Sequence, residues 1–325
     1  MAHRCSVSLV TDAAEWDSLF SRVEHPHMTQ AWAYGEARRA SGAHWKVQRR
    51  VLDTGGWRTR RFVFEREGEL VAICQLFEKS LAGVPYATRL NRGPLFLGTS
   101  PQADVVEDVY RALRCRWRHF RRGVLVLAPA LGASSENYRL LSDLGFRDRH
   151  LPGWPSIRVD LRQDEEWLFK NLRSTWRNRL RSAERSGLEL TVSQSPEDVE
   201  WIIDRHAGNM REKDFVGPSP ALLKALYQAA ANDLLVYRAR LGQEAVGGMM
   251  IYRFGHTAIY YVGWMGREGR KVNVGNFLYW QITLDLKRRG SLWFDLGGER
   301  PGATEQFKRG MRGEEYELLN EWLAF

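Results

Sequence analysis

The chain has 325 residues, 44% of them hydrophobic, including 13 Trp, 14 Phe and 11 Tyr; that is enough for two domains with cores of their own, and it excludes disorder of the whole. No apolar run reaches 18 residues, Met1 to Leu19 is polar, and Cys5, Cys74 and Cys115 are scattered, which excludes a membrane span, a secretory signal and a Cys-based metal or disulfide framework, and leaves the cytoplasm as the expected compartment. The net charge of +9, carried mostly by Arg, favours a polyanionic partner, unless it reflects arginine-rich coding alone.

In chain order, the apolar periodicity predicts helices over 12–21 and 30–41, the second with Trp32, Tyr34 and Ala37 on its apolar face. Strands over 57–64 and 70–78 flank Glu67-Gly68-Glu69 and read as a hairpin. A helix over 101–118, a short apolar strand over 123–127 and a helix over 134–144 closing on Gly145 follow. A second series then begins: a strand over 156–161, one long helix over 164–186 stopped by Gly187, a strand over 188–193, and helices over 196–210 and 220–231. Strands over 234–241, 245–254 and 256–262, a helix over 276–288, and strands over 292–296 and 316–322 complete it. The expected fold is a duplicated α/β (α+β) domain with mixed sheets, one copy over 1–153 and the other over 154–325, split between Pro152 and Pro155.

Two stretches carry candidate chemistry. Arg173, Arg177, Arg181 and Arg185 recur every four residues, beside a seam of Leu172, Trp176 and Leu180. Such an edge suits phosphates, which guanidinium groups grip bidentately; the alternative is a solvated face balanced by neighbours such as Glu184. Further on, a strand carrying Asp295 runs into Gly297-Gly298, with Phe307-Lys308 and Gly310 beyond. A lysine in a loop there would stabilise an oxyanion or neutralise a phosphate, or would be a surface charge beside an ordinary turn. GxSxG, HExxH and GxxxxGK[ST] are all missing, and His25 and His27 alone make a poor metal site. Between Arg267 and Gly275 the spacing does not match the Arg/Gln-x-x-Gly-x-Gly/Ala loop that holds the pyrophosphate of acyl-CoA.

Taken together, Thr29-Gln30 with Trp32, Arg92-Gly93-Pro94, Leu144-Gly145-Phe146, the basic run Trp176 to Gly187, Tyr261, Phe294 to Gly298 and Phe307-Lys308 resemble the Fem family of peptidoglycan bridge-forming aminoacyltransferases, over almost the whole chain. The resemblance implies two tandem GNAT-like domains without a coiled-coil arm. It implies no cofactor: aminoacyl-tRNA is the co-substrate, and the amino acid passes to a peptide or small-molecule amine. The implied partners are therefore a charged tRNA and that amine, with no DNA and no stable membrane insertion, and nothing demands more than a monomer. The family's catalytic lysine falls on Lys308, its aromatic neighbour on Phe307, a cavity-lining tyrosine on Tyr261 and a substrate-phosphate contact on Arg38. Asp295 is a candidate at the same site, and Arg173, Arg177, Arg181 and Arg185 are candidates for the tRNA.

The chain also departs from the family pattern. A second phosphate-binding arginine, with a tyrosine four residues on, is due around Pro218 to Leu222, and an acidic residue near Val126 to Pro129; neither is there. The departures bear on the acceptor, which is a peptidoglycan precursor or a natural-product amine. An acyl-CoA-dependent N-acyltransferase is the competing expectation.

Overall fold

The computed structural model describes residues 5–42, 57–81, 84–99, 101–116, 123–298 and 303–325. The end of the helix expected over 101–118 lies outside them. Among the described residues no helix is long and apolar enough to cross a membrane. The chain divides into two units, one of Met1–Trp154 with Glu317–Phe325 and one of Pro155–Tyr316.

The first unit runs β1 (Cys5–Leu9), α1 (Ala13–Phe20), α2 (Trp32–Ala40), β2 (Arg58–Arg66), β3 (Glu69–Leu81), β4 (Val84–Asn91), β5 (Leu95–Phe96), α3 (Ala103–Arg116), β6 (Val124–Ala128), α4 (Ser135–Asp143) and β7 (Arg147–Asp148). Local chemistry sets several boundaries. Asp12 caps α1 by accepting from the Glu15 N–H, and Ser134 caps α4 through the Asn137 N–H. β2 and β3 form the expected hairpin, whereas β4 and β6 pair in parallel from Ala87↔Val124 to Asn91↔Ala128. A parallel pair needs a crossover, and α3 supplies it. Phe62, Phe64, Leu76, Leu90, Leu125 and Leu127 of the sheet bury against Val109, Tyr110 and Leu113 of α3.

The second unit runs β8 (Trp154–Asp160), α5 (Glu165–Asn171), α6 (Ser174–Glu184), β9 (Leu188–Ser193), α7 (Pro196–Glu212), α8 (Pro220–Ala229), β10 (Leu234–Leu241), β11 (Glu244–Phe254), β12 (Thr257–Met265), α9 (Arg267–Lys271), α10 (Val274–Arg288), β13 (Trp293–Asp295), α11 (Ala303–Arg309) and β14 (Glu314–Leu318). Its sheet has the order β14-β8-β13-β12-β11-β10-β9. The pair β12–β13 is parallel, with α10 as its crossover.

Three expectations are corrected. The single helix expected over 164–186 is two, because Leu172 and Arg173 are extended (ψ 145° and 144°) and the Arg173 N–H leaves the helix to bond the Gly310 carbonyl. Lys308 lies on a helix, α11, and not in a loop. The strand expected over 316–322 is two strands: β14 joins the second sheet, while β15 (Trp322–Ala324) enters the first between β6 and β7. Residues 317–325 thus belong to the first unit and not to the second, because Leu319, Trp322 and Ala324 fill the first core.

Candidate active site

β12 and β13 pair only from Thr257↔Trp293 to Ile259↔Asp295. β12 continues to Met265, whereas β13 ends at Asp295 and the chain leaves through Gly297 and Gly298. Ligands of open α/β sheets bind in the crevice outside such carboxyl ends. Gly297 has φ +76°, and a Cβ there would stand 3.0 Å from the Tyr260 carbonyl oxygen, so glycine is required at this turn.

The Lys308 side chain enters from α11 and is 3% exposed. Its Nζ donates to the carbonyls of Gly297 at 2.8 Å and Gly298 at 2.9 Å, and lies 5.7 Å from the centre of the Tyr260 ring. Burying an ammonium is costly, and these dipoles and the ring face offset that cost. The neighbouring Phe307 packs its ring between Trp176 of α6 at 5.7 Å and Tyr279 of α10 at 5.2 Å.

Asp295 fixes the turn that holds Lys308. Its Oδ1 accepts from the Gly297 N–H and the Ser156 hydroxyl, both at 2.7 Å, and its Oδ2 from the Tyr316 hydroxyl at 2.5 Å. Three donors on a carboxylate that is 9% exposed leave it a strand-ending anchor for the Gly-Gly turn. Burial and the Asp295 charge push the Tyr316 phenol well above its ordinary value, so it remains a donor. Burial likewise raises Tyr260 to about 12 and lifts Tyr279, whose ring stacks on Tyr260 at 5.6 Å.

Tyr261 is half-buried and sits at a bulge: Met250 pairs with Val262 and Ile251 with Tyr260, so Tyr261 has no register partner. The Lys308 Nζ lies over the ring of the neighbouring Tyr260. Neither Tyr260 nor the Ser156–Tyr316 pair stands out in sequence. A tyrosine doublet on a strand offers one residue to each face, and only the bulge decides which. Ser156 and Tyr316 carry no local signal.

The arginine stripe lies wholly on α6 and its caps, on one side of the helix break. Arg173 and Arg185 are the terminal cap positions of α6, and both are exposed. Arg177 donates to the carbonyls of Lys170 and Leu172, closing the end of α5, and the Arg181 guanidinium lies 5.4 Å from the centre of the Phe169 ring. Arg38 lies in the other unit, on α2, half-buried and 5.8 Å from the centre of the Tyr34 ring.

The first unit's signature residues form a buried network. Gln30 Nε2 donates to the carbonyls of Gln75 at 2.9 Å and Asn91 at 2.6 Å, and its Oε1 accepts from the Gln75 N–H. The Gln75 amide donates to the Thr29 and Ala31 carbonyls and accepts from Arg61, whose guanidinium lies 3.4 Å from the centre of the Trp32 ring. This network joins β3 and β4 to the segment leading into α2.

Residues 170–309 match the family model described as acetyltransferase (GNAT) domain. No curated protein matches the chain in sequence. Among solved structures, the crystal structure of FemX matches at a TM-score of 0.77 and 13% identity, over 98% of this chain and 97% of that one. A tandem GNAT protein from the clavulanic acid biosynthesis pathway matches at 0.52 and 12%, over 98% of each chain. A protein of unknown function from Bacteroides thetaiotaomicron matches at 0.55 and 13%, over 98% and 99%. At these identities the likeness is one of fold. Residues 170–309 are similar to an acetyltransferase (GNAT) domain, and the chain has the two-domain fold seen in FemX.

Proposed function

We propose that the chain is an aminoacyltransferase that takes an amino acid from aminoacyl-tRNA and joins it to an amine, with no cofactor. The observation that carries this reading is Lys308, a buried ammonium fixed by the Gly297 and Gly298 carbonyls just beyond the carboxyl end of β13 and beside Tyr260 of β12. The ester of a charged tRNA is already activated. A neutral amine attacks its carbonyl, the C–N bond forms, and the negative oxygen of the tetrahedral intermediate faces the Lys308 ammonium. The C–O bond to the ribose then breaks, and the proton lost by the amine passes to the departing ribose oxygen. Holding the amine against the carbonyl supplies much of the acceleration, and a fixed cation at the oxyanion adds roughly 3 kcal/mol.

The segment between β12 and α10 supports a donor other than acyl-CoA. It folds as α9, in which a Cβ on Gly269 would stand 2.2 Å from the Val246 carbonyl oxygen. The N–H groups of Gly266, Arg270, Val272 and Asn273 bond carbonyls of this chain, and the stretch lacks the glycine spacing of a pyrophosphate loop. The acyl-CoA reading draws its support from the GNAT domain match over 170–309.

The test is transfer of radiolabelled amino acids from a total pool of charged tRNA, with and without RNase, to a peptidoglycan precursor and to amines of a cell extract. RNase-sensitive labelling is the expected result, and the product names both substrates. Turnover on acetyl-CoA without RNase sensitivity overturns it.

A further inference from the structure

A cleft of about 360 Å³ opens in the second unit at the carboxyl end of β12, away from the described hydrogen-bond partners of Lys308. Its wall is built on Trp264. This half-buried indole stands edge-on to Trp201 of α7, with ring centres 6.0 Å apart at 89°, and the Arg205 guanidinium lies 4.7 Å from the centre of its ring. Arg267, the first residue of α9, lines the same cleft, as do Glu244 and Glu268.

The charges around it are unevenly satisfied. Arg238 pairs with Asp198, Lys224 with Glu200, and Lys271 with Glu268, which neutralises one acid of the wall. Among the described residues, neither Arg205 nor Arg267 has a carboxylate or carbonyl partner, and both are exposed. A planar guanidinium held on an indole, with a second unpaired guanidinium beside it, presents a flat cationic face next to an anion site. A nucleobase matches the first and its phosphate the second. Trp264 packs on the α7 face of the sheet, where its register partner Gly248 faces Trp201, whereas Tyr260 meets Tyr279 and Lys308 on the α10 face. A single strand that reaches both passes the edge of β12 beyond Ile259, where its pairing with β13 has ended.

We propose that this cleft holds a single-stranded RNA segment of the donor, with a base stacked on the Arg205–Trp264 pair and a phosphate met by Arg267. The proposal rests on the aminoacyl-tRNA reading and deepens it. The test uses the full chain and a tetraribonucleotide with the tRNA 3′-end sequence, followed by tryptophan fluorescence at several salt concentrations. Arg205→Ala and Arg267→Ala, both surface changes, are expected to weaken binding roughly tenfold each and to flatten its salt dependence. In transfer assays they raise the KM for charged tRNA and leave kcat at saturating tRNA unchanged. Arg267→Lys restores most of the salt dependence. Unaltered oligonucleotide binding in both variants overturns the site while leaving RNase-sensitive transfer, and so the function, standing. Binding of coenzyme A in place of RNA, lost in both variants, overturns the site as an RNA cleft, and transfer that RNase does not touch overturns the function itself.

Discussion

The Nζ of Lys308 on α11 lies 2.8 Å from the carbonyl oxygen of Gly297, eleven positions earlier in the turn that follows β13. Replacing Lys308 with Met keeps the length and apolar contacts of the side chain but leaves the Gly297 and Gly298 carbonyls without their donor. The expected cost in stability is about 1–3 kcal/mol, and the expected loss of turnover is 10²- to 10³-fold. Single-turnover rates with saturating charged tRNA, alongside a urea titration, check both. A near-normal rate in the folded variant removes Lys308 from the chemistry.

Tyr316→Phe deletes one of the three donors on Asp295 and changes little else. A buried carboxylate that loses a hydrogen bond destabilises the fold by about 1–2 kcal/mol. Since Asp295 holds the Gly297 N–H, kcat is expected to fall several-fold with KM unchanged. A variant that loses stability but keeps its full kcat uncouples the turn from Lys308.

In the first unit, a Cβ on Gly93 would stand 3.0 Å from Gln30 Cδ. Gly93→Ala therefore pushes on a fully buried amide that cannot swing aside, and it is expected to cost about 1–3 kcal/mol. Gln30→Ala, which takes the Gln30 amide from the buried Gln75 N–H and carbonyl and leaves the Asn91 carbonyl to the Thr29 hydroxyl alone, is expected to cost about 2–4 kcal/mol. Denaturant midpoints measure these losses, and turnover per folded molecule is expected to hold in both. A large drop in turnover at full stability would move this network into the site.

His27 caps the turn before α2: its Nδ1 accepts from the Thr29 N–H at 3.2 Å. Burial, and secondarily the Arg92 cation, lower its pKa from 6.5 to about 3. The folded ring stays neutral where the unfolded one takes a proton. Its contribution is therefore complete above about pH 6.5 and is lost as the pH falls from there towards 3. His27 is half-buried, and the expected loss between pH 7 and pH 5 is about 1 kcal/mol. His27→Asn preserves a capping acceptor. The stability difference between wild type and variant should narrow by that amount over the interval, and a constant difference would contradict the lowered pKa.

Arg177 and Arg185 share a helix stripe but not a role. Arg177→Ala removes the guanidinium that closes the end of α5 on the Lys170 and Leu172 carbonyls, and about 1–2 kcal/mol of stability is expected to go with it. Arg185→Glu, at an exposed position, should stay within about 0.5 kcal/mol of wild type. If the stripe follows RNA, it also raises the KM for charged tRNA and reduces the salt slope by about one. Thermal melts and KM at two salt concentrations separate the two residues.

Local chemistry made much of the fold legible. Apolar runs on either side of Glu67-Gly68-Glu69 mark β2 and β3, Ser134 announces α4, and Gly187 follows α6. What stayed hidden depends on distant partners. The break at Leu172-Arg173 preserves the spacing of Leu172, Trp176 and Leu180, so periodicity runs straight through it, and its cause is a carbonyl at Gly310. The placing of Tyr260 against Lys308 goes with a one-residue bulge against β11 that the sequence does not announce. β15 is three residues long, and its place in the first sheet depends on Trp322 finding Leu127. The spacing of Gly297-Gly298 and Lys308 can be read from the sequence, but not the anchoring of that turn by Ser156 and Tyr316.

Because Trp322 is fully buried within the first sheet, the order in which the chain is made is not the order in which its units can close. The second sheet has all of its strands once Leu318 has left the ribosome. The first unit, made earlier, must wait with an open edge on β6 until Trp322 to Ala324 emerge. That edge is an unpaired strand on a nascent chain, the usual starting point for misassociation. Stalled synthesis between Leu318 and Trp322 would therefore leave the N-terminal unit, and not the unfinished end, as the part recognised by chaperones and proteases.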